Sequence, residues 1–146
     1  MFSETAAYYD QIYGYKDYQA EAGQILDLVD THLAPGHRRL LDVACGTGRH
    51  LEYLKHWFDV EGLDLSEELL AHARARNPGV PFHHGDMTDF DLDGTFDVIT
   101  CLFSSIGYVE TLDRLAQAAG SMARHLAPGG LLIVEPWFTP ADWHPN

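Results

Sequence analysis

The stretch Leu40-Leu41-Asp42-Val43-Ala44-Cys45-Gly46-Thr47-Gly48, followed by Gly62-Leu63-Asp64-Leu65, decides the reading of this chain. An apolar run that breaks into G-x-G reads as a buried strand turning sharply into a helix, with glycine where a Cβ would block the turn or a ligand. Asp64 lies 18 positions past Gly46. That is close to the spacing at which the second strand of a nucleotide-binding α/β unit offers an acid to a ribose. Gly46 and Gly48 would let the backbone approach a ligand. The helix beginning near Gly48 would aim its free N–H groups at a carboxylate or phosphate. A tight turn that binds nothing, with Asp64 serving the start of the helix after Ser66, is the competing reading.

Working outward, helical and strand patterns alternate. Ala22, Ile25, Leu26, Val29 and Leu33 share one face of a helix over Tyr18–Leu33, which Pro35-Gly36 ends. Strands follow at Arg39–Ala44, Asp59–Asp64, Val80–His84, Phe96–Leu102 and Leu131–Glu135. Helices are expected at His50–Trp57, from Ser66 to Asn77-Pro78, and from Leu112 to Leu126, the last stopped by Pro128-Gly129-Gly130. Strands separated by helical crossovers predict an α/β fold with a doubly wound, Rossmann-like parallel sheet. At 146 residues and 46% apolar content, the chain suits one domain over 1–146, with an N-terminal cap over 1–34 and the core over 35–136.

Composition restricts partners. Nine Lys+Arg against 22 Asp+Glu give a formal charge of −13, which repels a phosphate backbone, so no nucleic acid is expected and a small-molecule acceptor fits better. No apolar run reaches the ~20 residues of a membrane span and no signal pattern opens the chain, so a cytoplasmic protein without a membrane partner is expected. Cys45 and Cys101 are isolated, which argues against a disulfide scaffold or zinc site. His83-His84 point to opposite faces of a strand, and with His50 and His72 elsewhere no metal is expected.

The quoted stretches resemble motif I and the acidic motif of class I S-adenosylmethionine-dependent methyltransferases. The resemblance implies S-adenosyl-L-methionine as cofactor, with Asp64 on the ribose and Ala44, Gly46, Gly48 and Leu65 around it. Gly85-Asp86-Met87 resembles the motif after the third strand of that family, which implies Asp86 at the adenine amine and Met87 against the ring. Leu102 would cover the adenine or sulfonium region.

Two further stretches are similar to bacterial amino-sugar N,N-dimethyltransferases. They are Tyr9-Asp10-Gln11-Ile12-Tyr13 with Lys16-Asp17-Tyr18, and Leu102 to Tyr108 together with Val134-Glu135-Pro136-Trp137. The likeness implies Tyr13 facing the acceptor and Lys16 facing the cofactor carboxylate, although the spacing between them is shorter here. Glu135 is read as a general base, an orienting group for an amine, or a solvated strand end. The family's sheet continues past its fifth strand and this sequence holds nothing to supply that part. The fifth strand is therefore expected as an exposed apolar edge, with a homodimer one outcome. A binding module without turnover is the alternative function. An NAD(P) oxidoreductase is disfavoured because Leu51 stands where that fingerprint has glycine or alanine.

Overall fold

The structure, a computed structural model, describes residues 16–136 apart from 37 and 104. Tyr13 and the aromatic residues from Trp137 onward lie outside the described residues. Helix α1 (Tyr18–His32) is capped by the Asp17 carboxylate, which accepts from Ala20 N at 2.9 Å. Strand β1 (Arg39–Val43), helix α2 (Arg49–Leu54), strand β2 (Asp59–Asp64) and helix α3 (Glu67–Arg76) follow. The remaining elements are β3 (Phe82–His84), β4 (Phe96–Cys101), a 3-10 turn at Ser105–Val109, α4 (Leu112–Arg124) and β5 (Leu126–Val134).

The sheet runs in the order β3-β2-β1-β4-β5 with every pair parallel. The expected doubly wound topology is therefore the observed one. Its strand order reverses between β1 and β4, the position at which such sheets open a crevice at their carboxyl ends. Period-two side-chain alternation divides the apolar strand residues between two cores. Leu40, Val60 and Val98 join Ala22, Ile25, Val29, Leu51, Leu54 and Leu70 on the face covered by α1, α2 and α3. Leu41, Val43, Leu63 and Ile99 join Phe90, Phe96, Ala118 and Met122 on the face covered by α4. Burial on both sides explains why the strands read as continuous apolar runs instead of alternating ones.

Strand β3 begins at Phe82 and not at Val80, and two larger differences from the expected boundaries follow. Helix α2 stops at Leu54, because Trp57 and Phe58 N–H both fold back onto the Leu54 carbonyl as the chain turns into β2. Helix α4 ends at Arg124 and β5 begins at Leu126, so Pro128-Gly129-Gly130 lies inside the strand and does not end the helix. The reason is a register shift between Phe96 and Val98 on β4, with Gly129 at φ +78°. This is a bulge that only glycine accommodates cheaply, and it leaves Leu131–Val134 to pair with Val98–Cys101. Among the described residues β5 forms the sheet edge, with Leu131–Val134 partly buried.

Candidate functional site

Register brings the two sequence signatures together. Asp42 pairs with Gly62 and Val43 with Leu63, and the ladder continues one step further through Cys45 N–H to the Leu63 carbonyl at 3.0 Å. The glycine turn thus leaves β1 beside the end of β2, where Asp64 sits. The Asp64 carboxylate accepts from Gly46 N at 2.8 Å and from Ser66 N at 2.9 Å, one bond to each oxygen. A carboxylate has roughly four lone-pair positions, so acceptor capacity remains for a ligand such as a vicinal diol. Burial raises the Asp64 pKa, and the backbone N–H bonds from Ser66 and Gly46 oppose that rise.

The turn itself is left-handed at Ala44 (φ 60°), Gly46 (φ 57°) and Gly48 (φ 76°). A Cβ on Gly46 would meet no atom within 4 Å, so the space above it is open to a ligand. A Cβ on Gly48 would lie 2.7 Å from Asn77 Nδ2, so that glycine serves packing. Asn77 is fully buried. Its amide donates to the carbonyls of Gly48 and Ala73, and it accepts from Lys55 Nζ. Arg76 donates to Thr47 O and Oγ1, so α3 braces the turn from behind. Gly62 carries a similar constraint, since a Cβ there would meet the Phe82 ring at 2.7 Å and Cys45 Sγ at 2.8 Å. Sequence reasoning singled out neither Asn77 nor the packing role of Gly62.

A cleft with about 330 Å³ of empty space, counting its open mouth, lies at the carboxyl ends of β1 and β4. Its lining includes Tyr18, Asp42, Ala44, Thr47, His50, Leu102 and Phe103. Asp42, 2% exposed, accepts from Thr100 Oγ1 at 2.8 Å, and burial pushes its carboxyl up to about 6. His50 opposes this rise and the neighbouring Asp64 adds to it. Tyr18 and His50 meet edge to face with centroids 4.8 Å apart, and the Arg49 guanidinium stands 4.7 Å from the Tyr18 ring.

Lys16, at the start of the described chain, stands beside Phe103 of the cleft lining. Its Nζ pairs with Glu21 at 2.8 Å and lies 4.1 Å from the Phe103 ring centroid. Burial would raise Glu21, but hydrogen bonds with His50 and Lys16 outweigh it and hold the carboxyl below its usual value. Leu102 is buried and forms part of the cleft wall, whereas Leu65 is 65% exposed just past Asp64. Burial also raises both thiols, Cys101 to about 12 and Cys45 well above its ordinary value, which leaves neither as a nucleophile.

The sequence that builds this strand order, glycine turn and acid matches the methyltransferase domain family over residues 40–130. The chain belongs to the methyltransferase domain family. It is 51% identical over 126 residues to a dTDP-3-amino-3,4,6-trideoxy-alpha-D-glucopyranose N,N-dimethyltransferase of Streptomyces venezuelae, covering 86% of this chain and 53% of the relative. It is 46% identical over 146 residues to a dTDP-3-amino-3,6-dideoxy-alpha-D-glucopyranose N,N-dimethyltransferase of Streptomyces fradiae, covering 98% of this chain and 57% of the relative. Among solved structures, a SAM-bound amino pentose methyltransferase from Micromonospora echinaspora superposes with a TM-score of 0.88 at 44% identity, covering 94% of this chain and 59% of that one. The chain thus spans a little over half the length of these relatives.

Asp86 and Glu135, both singled out in the sequence of this methyltransferase domain, have partners of their own. Asp86 does not present a free carboxylate: Oδ1 accepts from Thr88 N and Oγ1, and Oδ2 faces Arg114 at 3.5 Å. The bonds from Thr88 N–H and hydroxyl hold its carboxyl below the usual range. Asp86 therefore builds the turn after β3 first, while Met87 packs against the α4-side core. Glu135, read as a general base, an orienting group or a solvated strand end, accepts from the backbone N–H of Phe103 at 2.5 Å. The paired histidines also separate as their strand position dictates, His83 onto Glu61 at 2.8 Å and His84 onto the Leu65 carbonyl at 2.8 Å. No helix among the described residues is long and apolar enough to cross a membrane. A second cavity, with about 490 Å³ of empty space counting its open mouth, lies between Leu33–Gly36, Arg38, Asp97 and Pro128–Gly130 at the amino ends of the strands, away from the ligand edge of such sheets.

Proposed function

We propose that this chain is the cofactor-binding part of an enzyme that transfers methyl groups from S-adenosyl-L-methionine to the amine of a nucleotide-linked amino sugar. One observation carries the cofactor reading: the Asp64 carboxylate is fixed against the open Gly46 turn by backbone N–H bonds to each of its oxygens. That arrangement fits a ribose held beside a backbone able to approach the amino acid end of the ligand. The sugar acceptor rests on the names of the relatives described above.

When bound, the cofactor supplies a methyl group already activated by its sulfonium. The chain's own residues then have three tasks. Asp64 would orient the ribose hydroxyls, Leu102 and Phe103 would exclude water from the cleft, and ionised Asp42 would place negative charge at the cleft floor. An amine nucleophile must lose a proton during or before attack, and we assign that proton to solvent. Tyr13 remains our candidate for the acceptor side and Lys16 for the cofactor carboxylate.

Calorimetric titration with S-adenosylhomocysteine, with NAD as the comparison ligand, tests the cofactor. Mass spectrometry of a dTDP-amino sugar incubated with the protein and S-adenosylmethionine tests the acceptor, with successive gains of one and two methyl groups expected. Preference for NAD would overturn the first reading. Binding of S-adenosylhomocysteine without turnover on any amine would favour a binding module.

A further inference from the structure

Phe103 is the second residue past β4 and has φ +55°, a left-handed conformation in which an aromatic side chain is strained. Neither sequence neighbour is a glycine or proline that would impose such a turn. The bond that answers the strain comes from 32 positions away, where Glu135 Oε1 accepts from Phe103 N–H at 2.5 Å. Glu135 is fixed in turn by its own N–H, which donates to the Cys101 carbonyl at 3.0 Å and extends the β4–β5 ladder by one step. The consequence is positional. Phe103 turns its ring into the cleft wall beside Leu102, and Lys16 Nζ stands over that ring at 4.1 Å.

We propose that Glu135 is a positioning residue, which holds the strained Phe103 turn and thereby sets the wall of the cofactor cleft and the place of Lys16. This rests on the cofactor reading above for its functional consequence, though not for its structural one. A carboxylate whose Oε1 is occupied by a backbone donor acts through that donor. A side-chain amide oxygen can accept the same bond, so the inference separates glutamine from alanine, whereas a general base would not survive either change.

The test compares Glu135→Gln and Glu135→Ala with the parent protein. Hydrogen exchange at the Phe103 amide, measured without ligand, should stay slow in the parent and in Glu135→Gln and speed up at least roughly tenfold in Glu135→Ala. Affinity for S-adenosylhomocysteine should follow the same order, with Glu135→Ala weaker by roughly tenfold and Glu135→Gln within a factor of about three. In turnover, Glu135→Gln should retain kcat and its pH profile, and Glu135→Ala should show its defect chiefly in the KM for the methyl donor. Unchanged Phe103 exchange in Glu135→Ala would overturn the positioning role whatever the ligand. Loss of kcat in Glu135→Gln with normal Phe103 exchange would overturn it in favour of proton transfer. A parent that holds Phe103 protected yet binds no S-adenosylhomocysteine would sink the cofactor reading and leave the turn itself established.

Discussion

Replacing Asp42 by asparagine should stabilise the fold and weaken ligand binding at the same pH. Asp42 is 2% exposed, and burial raises its carboxyl from 3.8 to about 6. A carboxyl raised in the folded state costs nothing below its unfolded value, where both states are protonated. Above the folded value both states are ionised, and the folded state bears the full penalty of an ion in a poorly solvated place. Stability contributed by this group is therefore present below pH 4 and lost as pH rises to about 6. The loss from 3.8 to about 6 amounts to ~3 kcal/mol. His50 offsets part of the penalty and Asp64 adds to it, and both effects are already within that shift.

Asparagine keeps an oxygen for the Thr100 hydroxyl and carries no charge at any pH. The difference in unfolding free energy, variant minus parent, should grow by ~3 kcal/mol between pH 4 and pH 7 and then level off. With a urea slope of ~1–3 kcal/mol/M, the gap between midpoints should widen by roughly 1–3 M over that range. Other acids titrate in both proteins and cancel in the difference. Binding should move the other way, since a sulfonium ligand over a neutral cleft floor loses an attractive charge; roughly tenfold weaker affinity at pH 7 is expected. A difference in stability that stays within about 1 kcal/mol from pH 4 to pH 7 would refute the burial argument.

Three further changes probe the rest of the site. Asp64→Ala should weaken S-adenosylhomocysteine binding by ~1.5–3 kcal/mol in calorimetry, and affinity within a factor of about two of the parent would remove Asp64 from the ribose. Gly46→Ala meets open space and should cost only the left-handed backbone, ~1–2 kcal/mol. Gly48→Ala adds a 2.7 Å collision with Asn77 and should cost clearly more in urea unfolding; equal losses would mean that α3 does not brace the turn. The 146-residue chain, with β5 at the sheet edge, should self-associate at micromolar concentration in sedimentation, and a monomer with protected Leu131–Val134 amides would contradict that.

The part of the fold nearest the site was the most legible, for a physical reason. Between Leu40 and Asp64 the constraints are local: glycines needed for left-handed backbone, an acid at a strand end, and apolar runs buried on both faces. Sequence therefore sufficed to place β1, the turn and β2, including the bounds Asp59–Asp64. What escaped were pairings between distant positions. Thr100 reads as an ordinary strand former, and only the β1–β4 register brings its hydroxyl to Asp42. Asn77 beside Pro78 reads as a helix stop, yet its amide serves a turn 29 positions earlier. Pro128-Gly129-Gly130 reads as a breaker because its neighbours in sequence do not reveal that β4 shifts register to absorb it. Phe103 carries no local sign of positive φ at all.

Several departures from ordinary local preference lie at the carboxyl ends of β1, β2 and β4. Ala44 and Phe103 hold left-handed backbone there, and Asp42 and Asp64 hold carboxyls that burial raises. None of these is needed to close the cores, which Leu40, Leu41, Val43, Leu63 and Ile99 fill. Strain and buried charge kept at such a place call for a ligand that repays them. The sign of that charge discriminates between ligands that the fold alone would admit. A dinucleotide would bring its pyrophosphate to the glycine turn, directly above Asp42 and next to Asp64, at the cost of placing like charges together near pH 7. A ligand with a sulfonium and an ammonium at that end meets the same two acids as an opposite charge. Asp42→Asn should therefore lower affinity for S-adenosylmethionine more than for its uncharged-sulfur product, S-adenosylhomocysteine. An equal loss for both would assign the attraction to the shared ammonium and remove the sulfonium from the argument.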